Sequence, residues 1–236
     1  MSDKKIKRFY KTVAVAPDAG GFGVHLDGRP VRTPAKALLR LPSSAFAKAV
    51  AAEWDAQREE IDPRAMPLTT LACTAIDLVA AKRAEVAREV TAYGGHDLLC
   101  YRAEAPADLA ARQRAIWQPL LDWAALAFDA PLTVTSGIVS VPQTPSALAS
   151  LSREVEGLGD FDLAALSSAV NAAGSLVIGL ALRAGRIDAA QALEAAQLDE
   201  LYQAERWGED ADAKRRHDGV AADLAAAARV FELLRG

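Results

Sequence analysis

Apolar residues change their period partway along the chain. From Arg8 to Leu41 they alternate with polar or small residues. Phe9, Val13 and Val15 share one parity, and Phe22, Val24 and Leu26 alternate with Gly23 and His25, which predicts half-buried strands. Pro17-Asp18-Ala19-Gly20-Gly21 interrupts the first run. Asp27-Gly28 follows the second run at once and predicts a hairpin, because glycine accepts the positive φ of a type I′ turn. The return strand, Arg29 to Thr33, carries Pro30 and is flanked by Pro34; proline has no N–H for the ladder, so this strand is expected at an edge. Leu39 and Leu41 end a last short strand, completing a small antiparallel meander.

Beyond Pro42 the period becomes helical. Ser43 is a suitable N-cap for a helix through Phe46, Val50 and Trp54 that ends before Pro63. Another helix starts at about Leu68; Leu71, Ala75, Leu78, Val79, Val86 and Val90 mark its stripe, and Gly94-Gly95 stops it. Ala107 to Phe128 reads as a helix with a kink or restart at Pro119. Leu132 to Val141 is rich in Val, Thr, Ile and Ser and predicts one more strand. The rest reads as helices over Asp162 to Leu182, from the cap Asp188 to about Trp207, and over Asp210 to Leu234. The pattern therefore predicts an α+β protein with a β-rich N-terminal domain over 1–67 and a larger, mainly helical domain over 68–236.

Composition narrows the function. A chain of 236 residues makes one large or two small domains and buries a core without staples. Cys73 and Cys100 make no disulfide framework and fit a reducing compartment. The net charge of -4 argues against a general nucleic-acid binder. The basic start, Met1 to Tyr10, precedes no apolar run, so no signal peptide is expected. Ala169 to Leu182 is the longest apolar stretch and is too short to span a bilayer. These features predict a soluble cytoplasmic protein without membrane insertion.

Reactive groups are sparse. The chain has no G-x-x-x-x-G-K-[ST], and the glycine-rich Gly20-Gly21-Phe22-Gly23 runs into a strand rather than opening a helix. No G-x-S-x-G elbow is present. Of the histidines His25, His96 and His217, only His96 has neighbours of interest, Asp97 and Cys100; these are too few ligands for zinc, and a Cys–His nucleophile pair stays open. Neither a cofactor nor a metal is expected. An enzyme or small-molecule-binding protein of unknown type remains the alternative, without a positive sign in its favour.

Several motifs stand in a telling order. They are Arg8-Phe9-Tyr10-Lys11, Leu26-Asp27-Gly28-Arg29-Pro30, Thr33-Pro34, Glu53-Trp54 with Gln57, and Met66-Pro67-Leu68-Thr69 with Thr74-Ala75-Ile76-Asp77. Then come Asp97 with Cys100-Tyr101-Arg102, Trp117 with Pro119 and Trp123, Ile178-Gly179-Leu180-Ala181-Leu182, and Leu198-Asp199-Glu200 with Gln203 and Trp207-Gly208-Glu209. Together they resemble the assembly chaperones that bind the alpha subunit of the F-type ATP synthase. The resemblance implies a non-catalytic protein that shields the unassembled alpha subunit, cytoplasmic in bacteria and in the mitochondrial matrix of eukaryotic relatives. It also implies a β-rich domain followed by a helical one, and a monomer is the expected state. An acidic member of the family motif aligns best with Glu200, and the partner-binding set is expected to be Glu200, Gln203, Trp207 and Glu209. On a helix, Glu200, Gln203 and Trp207 share one stripe, with Leu198 and Leu201 expected to face the core. Glu205 is expected to pair with Arg183 or Arg186, Asp97 with Arg102, and Trp54 to pack between domains.

Overall fold

The computed structural model describes residues 6–137, 139–208 and 210–235. By packing, the chain forms two compact units that do not follow one cut. Among the described residues, the first holds 6–83, Asp160–Ala165 and 229–235; the second holds Ala84–Gly159 and Leu166–Ala228.

In the first unit, β2 (Val13–Asp18) and β3 (Gly21–Leu26) pair antiparallel with Val15 opposite Val24. The turn after β3 has φ of 49° at Asp27 and 78° at Gly28, the backbone a type I′ turn requires. β4 (Arg29–Pro30) returns along Leu26 and His25 and lies at the sheet edge, where the missing proline N–H leaves no inner ladder bond unmade. β5 (Arg40–Leu41) pairs with Phe22 and Gly23 farther along β3. A separate pair joins β1 (Ile6–Lys7) to β6 (Glu60–Ile61). The core sets Val24, Leu26, Leu39 and Leu41 with the buried face of α1 (Ser44–Ala56), namely Phe46, Ala47 and Val50. Ser43 caps α1 as expected, its Oγ accepting from the N–H of Phe46 at 3.1 Å. Phe161 meets Phe46 edge to face at 5.7 Å, and the Ser43 hydroxyl donates to the Leu233 carbonyl at 3.2 Å.

The helical stripe after Pro67 is real but not continuous. α2 (Pro67–Thr74) passes into a π turn at Ala75–Val79 and then α3 (Ala80–Ala92), inside which Lys82 leaves helical geometry with φ −129° and ψ 30°. In the π turn, the Asp77 carboxylate accepts from the Thr33 hydroxyl at 2.6 Å and from the Ala35 N–H at 2.9 Å.

The second unit is helical. α4 (Ala107–Phe128) runs through Pro119 without the expected restart. The stretch expected as a strand over Leu132 to Val141 yields only β8 (Thr135–Ser136), parallel to β7 (Tyr101–Arg102); Ile138 lies outside the described residues. α5 spans Pro145–Glu156. The helix expected over 162–182 is two, α6 (Asp160–Ala173) and α7 (Leu176–Arg183). Gly174 ends α6 in the left-handed region with φ 66°, and the Ser175 Oγ accepts from the Ile178 N–H at 3.0 Å to cap α7. α7 is the centre of this core, with Leu176 through Leu182 all buried.

Asp97 is not paired with Arg102. Its buried carboxylate accepts from the Ser175 hydroxyl at 2.7 Å and from the N–H groups of Val177 and Leu99 at 3.1 Å each. Burial pushes this carboxyl upward against those bonds. Arg102 instead donates to the Gln113 carbonyl at 2.6 Å and lies 5.2 Å from the Trp117 ring centre.

Candidate partner-binding surface

α8 (Ala189–Ala196) starts at a capping box. Asp188 Oδ1 accepts from the Gln191 N–H at 2.8 Å, and Gln191 Oε1 accepts from the Asp188 N–H at 3.0 Å. The expected single helix to Trp207 breaks at Gln197, with φ −112° and ψ 22°, and continues as α9 (Leu198–Trp207). The Trp117 indole N–H donates to the Ala195 carbonyl at 2.8 Å and fixes the chain just before the break.

One face of α9 is tied to the first half of α4. Leu198 and Tyr202, at i and i+4, are 4% and 2% exposed. The Tyr202 hydroxyl donates to Asp108 Oδ1 at 2.8 Å, and Arg206 pairs with the same carboxylate. Arg112 pairs with Glu205 at 2.8 Å, and Gln113 Nε2 donates to Asp199 Oδ1 at 2.8 Å. The Arg206 guanidinium sits 4.2 Å from the Tyr202 ring centre, a cation–π contact. The Tyr202 hydrogen bond, then Arg206, holds the Asp108 carboxyl below its ordinary value, with desolvation opposing. Burial and that same bond raise the Tyr202 hydroxyl. Glu205 therefore pairs with Arg112 rather than with Arg183 or Arg186; Arg183 pairs with Glu154 at 3.3 Å.

The opposite face is open. Glu200, Gln203 and Trp207 are exposed, Trp207 to 76%. Among the described residues none of their side chains has a hydrogen-bond or ionic partner. Leu201, expected in the core, is only half-buried, because the tied register runs through 198 and 202 and rotates 201 toward the open side. α10 (Ala211–Arg235) turns back after Gly208, and its first half makes a groove of ≈ 610 Å³ with α9. Leu201, Ala204 and Val220 line it, bordered by Glu200, Arg216 and Asp223. Glu209, the last member of the expected set, lies outside the described residues.

Sequence reasoning missed a second groove, of ≈ 650 Å³, in the first unit. Phe9, Trp54, Met66, Cys73 and Leu78 line it, and Ile6, Phe9 and Leu78 are large apolar side chains left exposed there. Trp54 packs edge to face on Tyr10 at 5.8 Å, and its buried Nε1 has no hydrogen-bond partner among the described residues. The Cys100 thiol is pushed up to about 12 by burial first and then by Asp97, so it is protonated at neutral pH and a poor nucleophile. His96 stacks on Tyr93 at 5.5 Å between ring centres. Among the described residues no group of three or more His, Cys, Asp or Glu can hold a metal ion, and no helix is long and apolar enough to cross a membrane.

An exposed acid and tryptophan on a rigidly backed helix are features of a protein that binds another macromolecule. Residues 7–125 match the family model for the ATP12 chaperone protein. The crystal structure of Atp12 from Paracoccus denitrificans is 46% identical, with a TM-score of 0.92 over 97% of this chain and 98% of that one. An Asp-to-Lys mutant of the Paracoccus protein is similar to the same degree, with 46% identity, a TM-score of 0.92 and 97% coverage of both chains. The mitochondrial protein atp12 of Schizosaccharomyces pombe is 25% identical over 223 residues, 88% of this chain and 75% of that protein. The chain belongs to the ATP12 chaperone family, which serves assembly of the ATP synthase.

Proposed function

We propose that the protein binds the unassembled alpha subunit of the F-type ATP synthase through Glu200, Gln203 and Trp207, with Glu209 beside them in sequence. One observation carries the placement: on α9 the polar side chains facing α4 are all bonded, while those on this stripe are not. A free ring subunit exposes a surface meant for burial, and such a surface aggregates. Covering it reversibly needs shape and complementary charge but no bond-making chemistry. The protein acts without catalysis, as a monomer in the bacterial cytoplasm.

The test is aggregation of isolated alpha subunit followed by light scattering. The wild-type chain suppresses it at near-equimolar concentration and does not bind the assembled catalytic ring, where the shielded surface is already covered. Equal binding to free and assembled alpha subunit contradicts the shielding role.

A further inference from the structure

The groove beside the contact stripe has two features that the fold itself does not use. First, α10 sets Arg216, Gly219 and Asp223 along the groove, three and seven residues apart and so on one face. A glycine weakens a helix interior relative to alanine. Nothing among the described residues asks for one here. Gly219 has no positive φ, and a Cβ built on it meets no atom within 4 Å. Second, Glu200, Arg216 and Asp223 border one groove with charges of both signs, yet none has a partner among the described residues. Charges on α10 away from the groove do pair locally, Lys214 with Asp218 at 3.0 Å and Arg229 with Glu232 at 2.8 Å.

We propose that the groove between α9 and α10 seats an amphipathic helix of the client, whose backbone crosses closest at Gly219. Its apolar side chains rest on Leu201, Ala204 and Val220. A basic side chain meets Glu200 or Asp223, and an acidic one meets Arg216. The occupant is a helix for a physical reason. The groove is walled by two helices, whose backbone groups are satisfied internally, so it offers no strand edge. A guest segment must then satisfy its own backbone, which an α-helix does, and helix-in-groove docking uses apolar anchors spaced three, four and seven apart. A missing Cβ lets two helix axes approach at the short end of the usual 8–10 Å range.

The proposal rests on the chaperone reading above, and the experiment separates the two. Binding of isolated alpha subunit is measured for the full chain and for Gly219→Ala and Gly219→Leu. Gly219→Ala is expected to melt at or above the wild-type temperature and to bind at least tenfold more weakly. Gly219→Leu is expected to keep the wild-type circular dichroism and to lose binding altogether. If the wild type binds but Gly219→Leu binds within twofold of it, the groove proposal falls and the client reading stands. If the wild type does not bind alpha subunit, both fall. A photo-reactive residue at Ala213, and separately at Val220, then reports the guest's conformation. Captured client residues about seven apart support a helix rising 1.5 Å per residue. A separation of about three is that of an extended strand and overturns the proposal.

Discussion

Glu53 caps the helix that opens at Pro67, with Oε2 accepting from both the N–H and the hydroxyl of Thr69, at 2.8 and 2.7 Å. Oε1 accepts from the Leu68 N–H at 2.8 Å. Met66 at the N-cap makes no side-chain bond and Pro67 has no N–H, so Leu68 and Thr69 supply the first free donors of α2. Burial pushes the Glu53 carboxyl upward, with the bonds from Thr69 and Leu68 opposing. Glu53→Ala strands three donors, two N–H groups and a hydroxyl, in a largely buried place and is expected to cost about 3 kcal/mol. Glu53→Gln keeps an acceptor and is expected to cost roughly half as much. Urea denaturation at neutral pH measures both.

Contact and stability are expected to separate along α9. Glu200→Lys, on an exposed and unpaired position, is expected to move stability by only about ±0.5 kcal/mol. The same change against a basic client surface is expected to cost several kcal/mol of binding, roughly a hundredfold or more. Trp207→Ala is expected to behave alike, with melting unchanged and about 2 kcal/mol of binding lost. Leu198→Ala is expected to do the reverse on melting, losing about 2–5 kcal/mol of stability through a core cavity. An early-melting Glu200→Lys variant would assign that residue a structural role.

The Asp108 carboxyl sits below its unfolded value, held by Tyr202 and then Arg206. A depressed carboxylate stabilises the fold above the unfolded pKa, about 3.9, and that contribution is lost as pH falls through the folded value. Between pH 5 and 2 the wild-type melting temperature is therefore expected to fall more steeply than that of Asp108→Asn. Tyr202→Phe, which removes the leading cause, is expected to flatten the difference. Parallel curves for wild type and Asp108→Asn would contradict this.

Asp97 joins Leu99, Ser175 and Val177 at the start of α7. Asp97→Asn turns one acceptor into a donor facing N–H groups and is expected to cost about 3 kcal/mol. Ser175→Ala loses the cap and is expected to cost about 1–2 kcal/mol. Differential scanning calorimetry at neutral pH reads both.

The chain has no phosphate loop in its sequence, and Cys100 is a protonated, buried thiol. Purified protein is expected neither to hydrolyse ATP nor to bind it at micromolar affinity. A stoichiometric heat of nucleotide binding in calorimetry would contradict the non-catalytic reading.

The sequence spoke most clearly where a signal was local. Asp27-Gly28, Ser43 and Asp188 each act within four residues, and each turn or cap is present. The Gly174-Ser175 break was equally local, but the long apolar run around it hid a glycine terminus followed at once by a serine cap. Gln197 carries no breaker chemistry. Trp117, 78 positions from Ala195, holds the carbonyl just before that break. The same distance problem governs the surface. Helical spacing put Glu200, Gln203 and Trp207 on one stripe, but the register of α9 is set by Asp108, Arg112 and Gln113 on α4. No period in the sequence reveals that Tyr202, rather than Leu201, turns inward.

The first compact unit is closed by residues from far along the chain. Phe231 is buried, the Ser43 hydroxyl rests on the Leu233 carbonyl, and residues 229–235 belong to the same unit as the sheet and α1. During synthesis the chain leaves the ribosome from its N-terminal end, and a domain built from one contiguous stretch folds as soon as it emerges. This one is not contiguous: the strands of its main sheet lie within residues 13–41, but its packing is completed only when residues near 230 have been translated. The protein proposed to guard an unassembled subunit is thus itself expected to pass through an exposed stage, and a pulse of protease on ribosome-bound chains is expected to find this unit cleavable until α10 is free.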